Sequence, residues 1–269
     1  MQRAALKNLH KLISCQTLEE NQNIGLKFLN DLVFTITEEE KQNKHTPSPT
    51  FKPSSMKCPR NMYYQVIGAE LDTDESVSYA LIGIGQSGTD RHVRLQAAVE
   101  AMKNHNIPCE YIDVAEFVKQ RNLTDLEIVD KKGMETKLFN KKYNMSFMCD
   151  GIIKYHNVYY ILEIKTEVDV KFRNRSNYDD SHTEQICAYK LNFGLDDVIM
   201  LYENRNVCEL KCYHINVSNE LMNERVVKKI EYVNKCIEES LIPKKHTSKT
   251  CQYCPYAKRC KRELYQEEY

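Results

Sequence analysis

Two acids and a lysine stand where the surrounding sequence is otherwise apolar. Met148-Cys149-Asp150-Gly151-Ile152-Ile153 is followed, across a turn at Tyr155-His156-Asn157, by Ile161-Leu162-Glu163-Ile164-Lys165-Thr166. Alternate residues of a strand share a face. Glu163 and Lys165 therefore project together while Leu162 and Ile164 face the other way. In an antiparallel hairpin Asp150 falls near the level of Glu163. Placing two carboxylates and an ammonium among Ile, Leu and Val costs desolvation energy that a simple core would avoid. The carboxylates also repel unless a cation sits between them, and such oxygen-rich sites suit Mg²⁺ or Mn²⁺. A divalent ion can lower the pKa of a bound water and stabilise charge on a phosphate in transfer. Lys165 can position that water or neutralise the developing charge. A hairpin whose solvent face carries Glu and Lys is the other reading of these residues.

A second group is made of cysteines. Cys251, Cys254 and Cys260 form a C-x2-C-x5-C array, and Cys58, in Ser55-Met56-Lys57-Cys58-Pro59-Arg60, is the candidate fourth ligand. Soft thiolates select zinc or an iron–sulfur cluster. A zinc site using His246 in place of Cys58 is an alternative, and four free thiols are a third. The remaining seven of the 11 cysteines lie singly or in apolar surroundings and read as packing. Cys208 and Cys212 fall in a strand, where their spacing would not converge.

Two phosphate-binding patterns bear on the function. Ile82-Gly83-Ile84-Gly85-Gln86-Ser87-Gly88 satisfies G-x-G-x-x-G, with Glu110 and Asp113 following. After a strand at Val77–Ile84 this is the setting a dinucleotide-binding oxidoreductase requires. Repeated βαβ units are not visible, however. No G-x-x-x-x-G-K-[ST] occurs, so the chain carries no ATP-driven motor of that type.

The elements that must position these groups follow from periodicity. Helical spacing at 4–14 and 19–35 predicts a helical N-terminal segment over residues 1–45, and a Pro/Ser/Thr stretch over 46–55 a linker. Residues 56–269 read as one domain. It has helices at 61–67, 90–104, 182–193 and 219–240, and strands at 109–113, 147–154, 158–166 and within 197–216. That order predicts an α/β fold with a mixed central sheet flanked by helices.

In 269 residues, 38 Lys and Arg balance 38 Asp and Glu, which excludes a protein that coats nucleic acid by bulk charge. Local basic runs remain, at Lys171, Arg173 and Arg175 and from Lys244 to Arg262, as candidate phosphate contacts. With no Trp, base stacking would fall to tyrosines such as Tyr63, Tyr64, Tyr178 or Tyr189. No apolar run is long enough to span a membrane. Met1 to Cys15 lacks a secretory core, so a cytoplasmic location is expected.

Taken together, the motifs resemble those of the RecB-like PD-(D/E)XK nucleases with an iron–sulfur cluster, including CRISPR-associated exonucleases and AddAB-type nuclease domains. Asp150 and Glu163-Ile164-Lys165 match the signature, with Cys149 where the family's name has proline. Gly88-Thr89-Asp90-Arg91-His92 matches a turn-then-helix His motif, and Gln185 to Tyr189 matches Q-x-x-x-Y. The resemblance covers roughly residues 56 to 262. It implies a restriction-endonuclease-like core and a metal-dependent DNA exonuclease acting on single-stranded ends. In that scheme His92, Asp150, Glu163 and the Ile164 carbonyl hold Mg²⁺ or Mn²⁺, and Lys165 assists the water. Gln185 and Tyr189 orient the strand. Cys58, Cys251, Cys254 and Cys260 hold a 4Fe–4S cluster. A separate helicase or recombination protein, a role in recombination, repair or CRISPR-related processing, and a bacterial or phage-infected cell follow from the same resemblance. Oligomerisation stays open. A catalytically silent nucleic-acid-binding module of the same fold is the main alternative.

Overall fold

The computed structural model describes residues 24–42, 48–72, 79–245, 247–248, 251–252 and 254–263. The chain divides into two compact units, one of Met1–His45 with Asp74–Gly85 and one of Thr46–Thr73 with Gln86–Tyr269. The predicted helix at 4–14 lies outside the described residues.

In the first unit, helix α1 spans Ile24–Gln42, and its Ile24, Phe28, Leu29 and Phe34 are exposed. It runs past the expected boundary at residue 35. Among the described residues no helix is long and apolar enough to cross a membrane.

The second unit is built on a five-stranded mixed sheet. Its strands are β1 (Cys109–Ile112), β5 (Gly151–Tyr155), β6 (Val158–Glu167), β7 (Asp197–Asn204) and β8 (Leu210–Asn216), in the order β1-β5-β6-β7-β8. All neighbours are antiparallel except β6 and β7, which are parallel and joined through helix α6 (Thr183–Phe193). A separate antiparallel sheet comprises β2 (Leu126–Lys132), β3 (Glu135–Asn140) and β4 (Met145–Cys149). The expected mixed α/β class is therefore present. The second sheet was only partly anticipated, because its strand β2, Leu-Glu-Ile-Val-Asp-Lys-Lys, is half charged and interrupted by a register shift between Ile128 and Asp130.

Helix α2 (Pro59–Val66) opens on Pro59, whose missing N–H costs nothing at a first helical position. Helix α3 (Tyr79–Ala101) corrects the sequence reading. The G-x-G-x-x-G stretch lies inside this helix, and no strand at 77–84 precedes it among the described residues. The dinucleotide reading fails with it, since that motif needs a strand, a tight turn and then a helix N-terminus. For the same reason His92 sits well inside a helix rather than just after a turn. The remaining α-helices among the described residues are α4 (Val114–Gln120), α5 (Asp169–Arg173), α7 (Asn219–Met222), α8 (Lys228–Glu238) and α9 (Ala257–Arg262).

The hairpin β5–β6 closes through His156 and Asn157, both at positive φ, the backbone of a two-residue turn matching the strand twist. Strand β6 then sends its apolar residues to both sides. Ile161 joins a core with Ile186, Tyr189 and Phe193 of α6, whereas Leu162 and Ile164 pack with Leu95 of α3. Each fully buried aliphatic side chain contributes about 1.5–3 kcal/mol. Helix α6 stops at Gly194, which takes the left-handed conformation at φ 67°. Phe51, within the stretch expected to be a linker, is fully buried and bridges to Met145.

Candidate active site

Asp150 occupies the junction where β4 of one sheet passes into β5 of the other. Gly151 pairs with Leu162, so one register step back Asp150 faces Glu163. On its other side Thr136 pairs with Cys149, so the same step sets Glu135 against Asp150.

Asp150 is held at four points. Its Oδ2 accepts from the Ile164 backbone N–H at 2.6 Å, and its Oδ1 lies 3.0 Å from Nδ1 of His92. Its carbonyl accepts from Gln96 Nε2 at 2.7 Å and from the Tyr111 hydroxyl. A Cβ at Gly151 would lie 2.6 Å from Tyr111 Cζ, so a larger residue there must displace the Tyr111 ring. Burial opposes a charge on His92, but the hydrogen bond and negative charge of Asp150 outweigh it and raise its pKa.

Glu163 is 1% exposed. Its Oε1 accepts from Gln185 Nε2 at 2.7 Å and from Lys165 Nζ. Its Oε2 is buried with no hydrogen-bond partner. Burial first, and then the charge of Asp150, push its pKa up to about 7. Both effects favour the neutral form of a buried acid beside a second carboxylate.

Helix α6 completes the wall. Gln185 Oε1 accepts from Lys165 Nζ at 3.1 Å, Gln185 Nε2 also lies 2.7 Å from the Tyr189 hydroxyl, and that hydroxyl donates to the Met148 carbonyl at 2.8 Å. Both side chains face the hairpin. Tyr189 and Tyr64 are each 1% exposed, so neither offers a ring face to a base. The fourfold helical spacing placed Gln185 and Tyr189 on one face, but not which way that face turned.

Asp150, Glu163, Lys165, His92, Gln185 and Tyr189 thus meet in one place. Ile164 meets Asp150 through its N–H. Glu135 was missed by sequence reasoning. It, His92 and Asp150 each offer one ligand atom, all within 4.8 Å of one another. The β3–β4 pairing, and no local motif, brings it to Asp150. Gln96 and Tyr111 carry no comparable signal, since their roles depend on how α3 and β1 approach.

The cysteines also converge. The Cys254 thiol is raised by burial and then by Cys58, Cys260 and Cys251, which share its neighbourhood. Donors face the sulfurs: Asn61 Nδ2 at 3.7 Å from Cys254, Arg60 Nη1 at 3.6 Å from Cys260 and the Ser248 N–H at 3.4 Å from Cys251. Arg60, 1% exposed, also donates to the Pro243 carbonyl at 2.6 Å. Four thiols ringed by donors fit a thiolate-bound centre. His246 lies outside the described residues.

The basic run after Lys165 is ion-paired. Arg175 is buried against Glu167 and Asp179, Lys171 lies 3.0 Å and 2.8 Å from the same two acids, and Arg173 pairs with Asp169 at 2.8 Å. Acids spaced along the same stretch have claimed these cations. In the tail, Lys258, Arg259, Lys261 and Arg262 line an open cavity of about 570 Å³ with Glu70, Leu71 and Asp72.

No protein-family model matches the chain, and no curated protein sequence matches it. Among solved structures it is similar to SSO0001, with a TM-score of 0.45 and 15% identity over 86% of this chain and 94% of that one. It is also similar to the alkaline exonuclease LHK-Exo from Laribacter hongkongensis, with a TM-score of 0.42 and 10% identity over 81% and 96%. The same exonuclease in complex with dAMP gives a TM-score of 0.41 and 10% identity over 80% and 95%.

Proposed function

We propose that this chain is a divalent-cation-dependent nuclease that hydrolyses DNA phosphodiester bonds from an end. The observation that carries the reading is Glu163 Oε2, a buried carboxylate oxygen without a hydrogen-bond partner, set opposite a second carboxylate and beside a lysine. A buried acid oxygen left bare is costly, and a hard cation accounts for it. The donor set fits Mg²⁺ or Mn²⁺: Asp150, Glu163, His92 and the Ile164 carbonyl would hold it. Such an ion lowers the pKa of a bound water and offsets charge on the phosphate.

The protein's own part is positioning. Ile164 and His92 fix both oxygens of Asp150. Gln185 and Lys165 occupy Glu163 Oε1 and leave Oε2 for the ion. Lys165 Nζ, steadied by Glu163 and Gln185, donates to the attacking water or to a non-bridging phosphate oxygen. Water adds to phosphorus and gives up a proton to solvent, the P–O bond to the leaving sugar oxygen breaks, and that oxygen takes a proton from solvent.

The resemblance of the motifs to RecB-like nucleases supports the finer parts. These are single-stranded ends as substrate, a 4Fe–4S cluster on Cys58, Cys251, Cys254 and Cys260, a separate helicase or recombination partner, and a cytoplasmic setting in recombination, repair or CRISPR-related processing. The cations lining the tail cavity are the candidate strand contacts. Half-buried Tyr63 and Tyr178 are the candidates for stacking.

End-labelled linear DNA, single- and double-stranded, incubated with Mn²⁺ tests this. The parent protein should degrade linear but not circular DNA. Asp150→Ala and Lys165→Ala should each slow it by about a hundredfold or more, the scale of losing one charge-stabilising group. Unchanged cutting by both variants would sink the site assignment.

A further inference from the structure

We propose that the outward face of β3 and β4 seats the substrate strand next to the scissile phosphate. Phe139 and Met148 hold an unpaired base of DNA between them, and Lys137 holds a phosphate. This rests on the nuclease reading above and names residues that seat its substrate.

Strand alternation builds the face. In β4, Met145, Phe147 and Cys149 are buried, so Ser146 and Met148 turn the other way. In β3, Thr136, Leu138 and Asn140 are buried, and Glu135, Lys137 and Phe139 share the outward side. The register sets Lys137 opposite Met148 and Phe139 opposite Ser146. Phe139 and Met148 are therefore diagonal neighbours, about 7–8 Å apart at the backbone and within reach of long side chains. Asp150 follows two residues after Met148, so the face runs into the acid pair.

The solvated side of an antiparallel sheet usually carries polar side chains. Here Met148 is 47% exposed, and half-buried Phe139 packs with neither apolar core. Met148 is nonetheless fixed in place. Its carbonyl accepts from the Tyr189 hydroxyl at 2.8 Å, and that hydroxyl also meets the Gln185 amide beside Glu163. A polarisable thioether and a ring offer a base two apolar surfaces without reading its sequence. A duplex keeps its base faces stacked on one another, whereas an unpaired strand presents them. Lys137 is exposed and, among the described residues, in no ion pair. Its neighbours Lys131 and Lys141 are held by Asp113 and Glu127. Exposed Asp130 of β2, opposite Lys137 on the other side, repels phosphate and confines the strand to β3 and β4.

Fluorescence anisotropy of a labelled oligothymidylate, with Ca²⁺ in place of Mn²⁺, measures binding by the full chain across a range of salt. Lys137→Gln should lower the slope of log affinity against log salt by about 0.7, one phosphate's share on a single strand. Met148→Ala and Phe139→Leu should each weaken binding by about fivefold or more at unchanged slope, the low end for a lost stacking partner. Phe139→Tyr, which keeps a ring, should bind as the parent does, an outcome that a purely structural role for Phe139 does not require. Lys119→Gln, on an exposed lysine of α4 paired with Glu116, should keep the parental slope. A parental slope in Lys137→Gln, or parental affinity in both Met148→Ala and Phe139→Leu, overturns the proposal. So do variants that alter the sedimentation of the free chain and leave strand affinity alone, since the face is then a contact between copies. If the parent cuts DNA while that happens, the nuclease reading stands without it. A parent that neither binds the strand nor cuts removes both.

Discussion

Gln185 holds Glu163 and Lys165 at once: its amide nitrogen donates to Glu163 Oε1 at 2.7 Å while its carbonyl oxygen accepts from Lys165 Nζ at 3.1 Å. An amide can do this because it carries a donor and an acceptor on one planar group. Neither atom need touch the substrate, which makes Gln185 a positioning residue. Gln185→Ala should lower the cleavage rate by about ten- to a hundredfold, as lost outer partners of metal sites do. Its thermal midpoint should stay close to the parent's, because no apolar core is opened. Gln185→Glu should be slower still, since it puts another carboxylate beside Glu163. Initial rates with Mn²⁺ alongside thermal melts separate the cases. A Gln185→Ala enzyme of parental rate would remove Gln185 from the site.

Gly151 carries a second prediction. A methyl group there would meet the ring of Tyr111, with Cζ at 2.6 Å. Making room displaces the ring and takes the Tyr111 hydroxyl off the Asp150 carbonyl. Gly151→Ala should therefore destabilise the protein by about 1–3 kcal/mol through overpacking. It should also weaken Mn²⁺ binding by shifting Asp150. Calorimetric melts and Mn²⁺ titration check both. Parental values in each would mean that Tyr111 moves without consequence.

The hairpin was legible in the sequence because strand alternation is a local rule. Asp150, Glu163 and Lys165 declare themselves as charged residues among Ile and Leu, and the turn at His156-Asn157 sets the register. Glu135 was not legible, because its partner is fixed by a pairing across a second turn in a sheet whose strand β2 hardly alternates. The glycines at 83, 85 and 88 misled for a related reason. Glycine is tolerated inside a helix at roughly 1 kcal/mol each, and the tertiary setting of α3 overrode the motif. The basic run at 171–175 is ion-paired with Glu167 and Asp179, four residues from Lys171 and Arg175, a pairing that reading the cations alone leaves out.

His182 gives a pH dependence of stability. Burial, and then the charge of Lys165, bring its pKa down from 6.5 to about 4, against an opposing pull from Asp179. It is neutral in the fold at neutral pH. Between pH 6.5 and about 4 the unfolded chain binds the proton that the native state refuses. Stability from this group is thus complete above 6.5 and drains as pH falls. His182→Gln should flatten the fall of the melting temperature between about pH 7 and 5, the interval set by that linkage. Equal slopes in parent and variant would show that His182 is solvated enough to titrate normally.

The cysteine centre yields the last prediction, on Arg60 and Cys58. Arg60 is the first residue after Pro59 in α2, yet its guanidinium reaches the Pro243 carbonyl and both the carbonyl and the sulfur of Cys260. Segments about 200 positions apart are thereby joined at one buried charge. A cluster bound by Cys58 and the three C-terminal cysteines would close the same long loop covalently, and closing long loops removes entropy from the unfolded chain. Protein purified without oxygen should be brown, with broad visible absorption and about four irons per chain, the complement of a 4Fe–4S centre. Cys58→Ser should bleach it and lower the melting temperature. Arg60→Ala should do so in part, costing about 1.5–3 kcal/mol for the lost charge-assisted bonds. Arg60→Lys should not restore the parental value, because an ammonium cannot span both Pro243 and Cys260 as a planar fork does. Colourless protein holding stoichiometric zinc would replace the iron–sulfur assignment with a zinc site. A Cys58→Ser variant with parental metal content would exclude Cys58 from either.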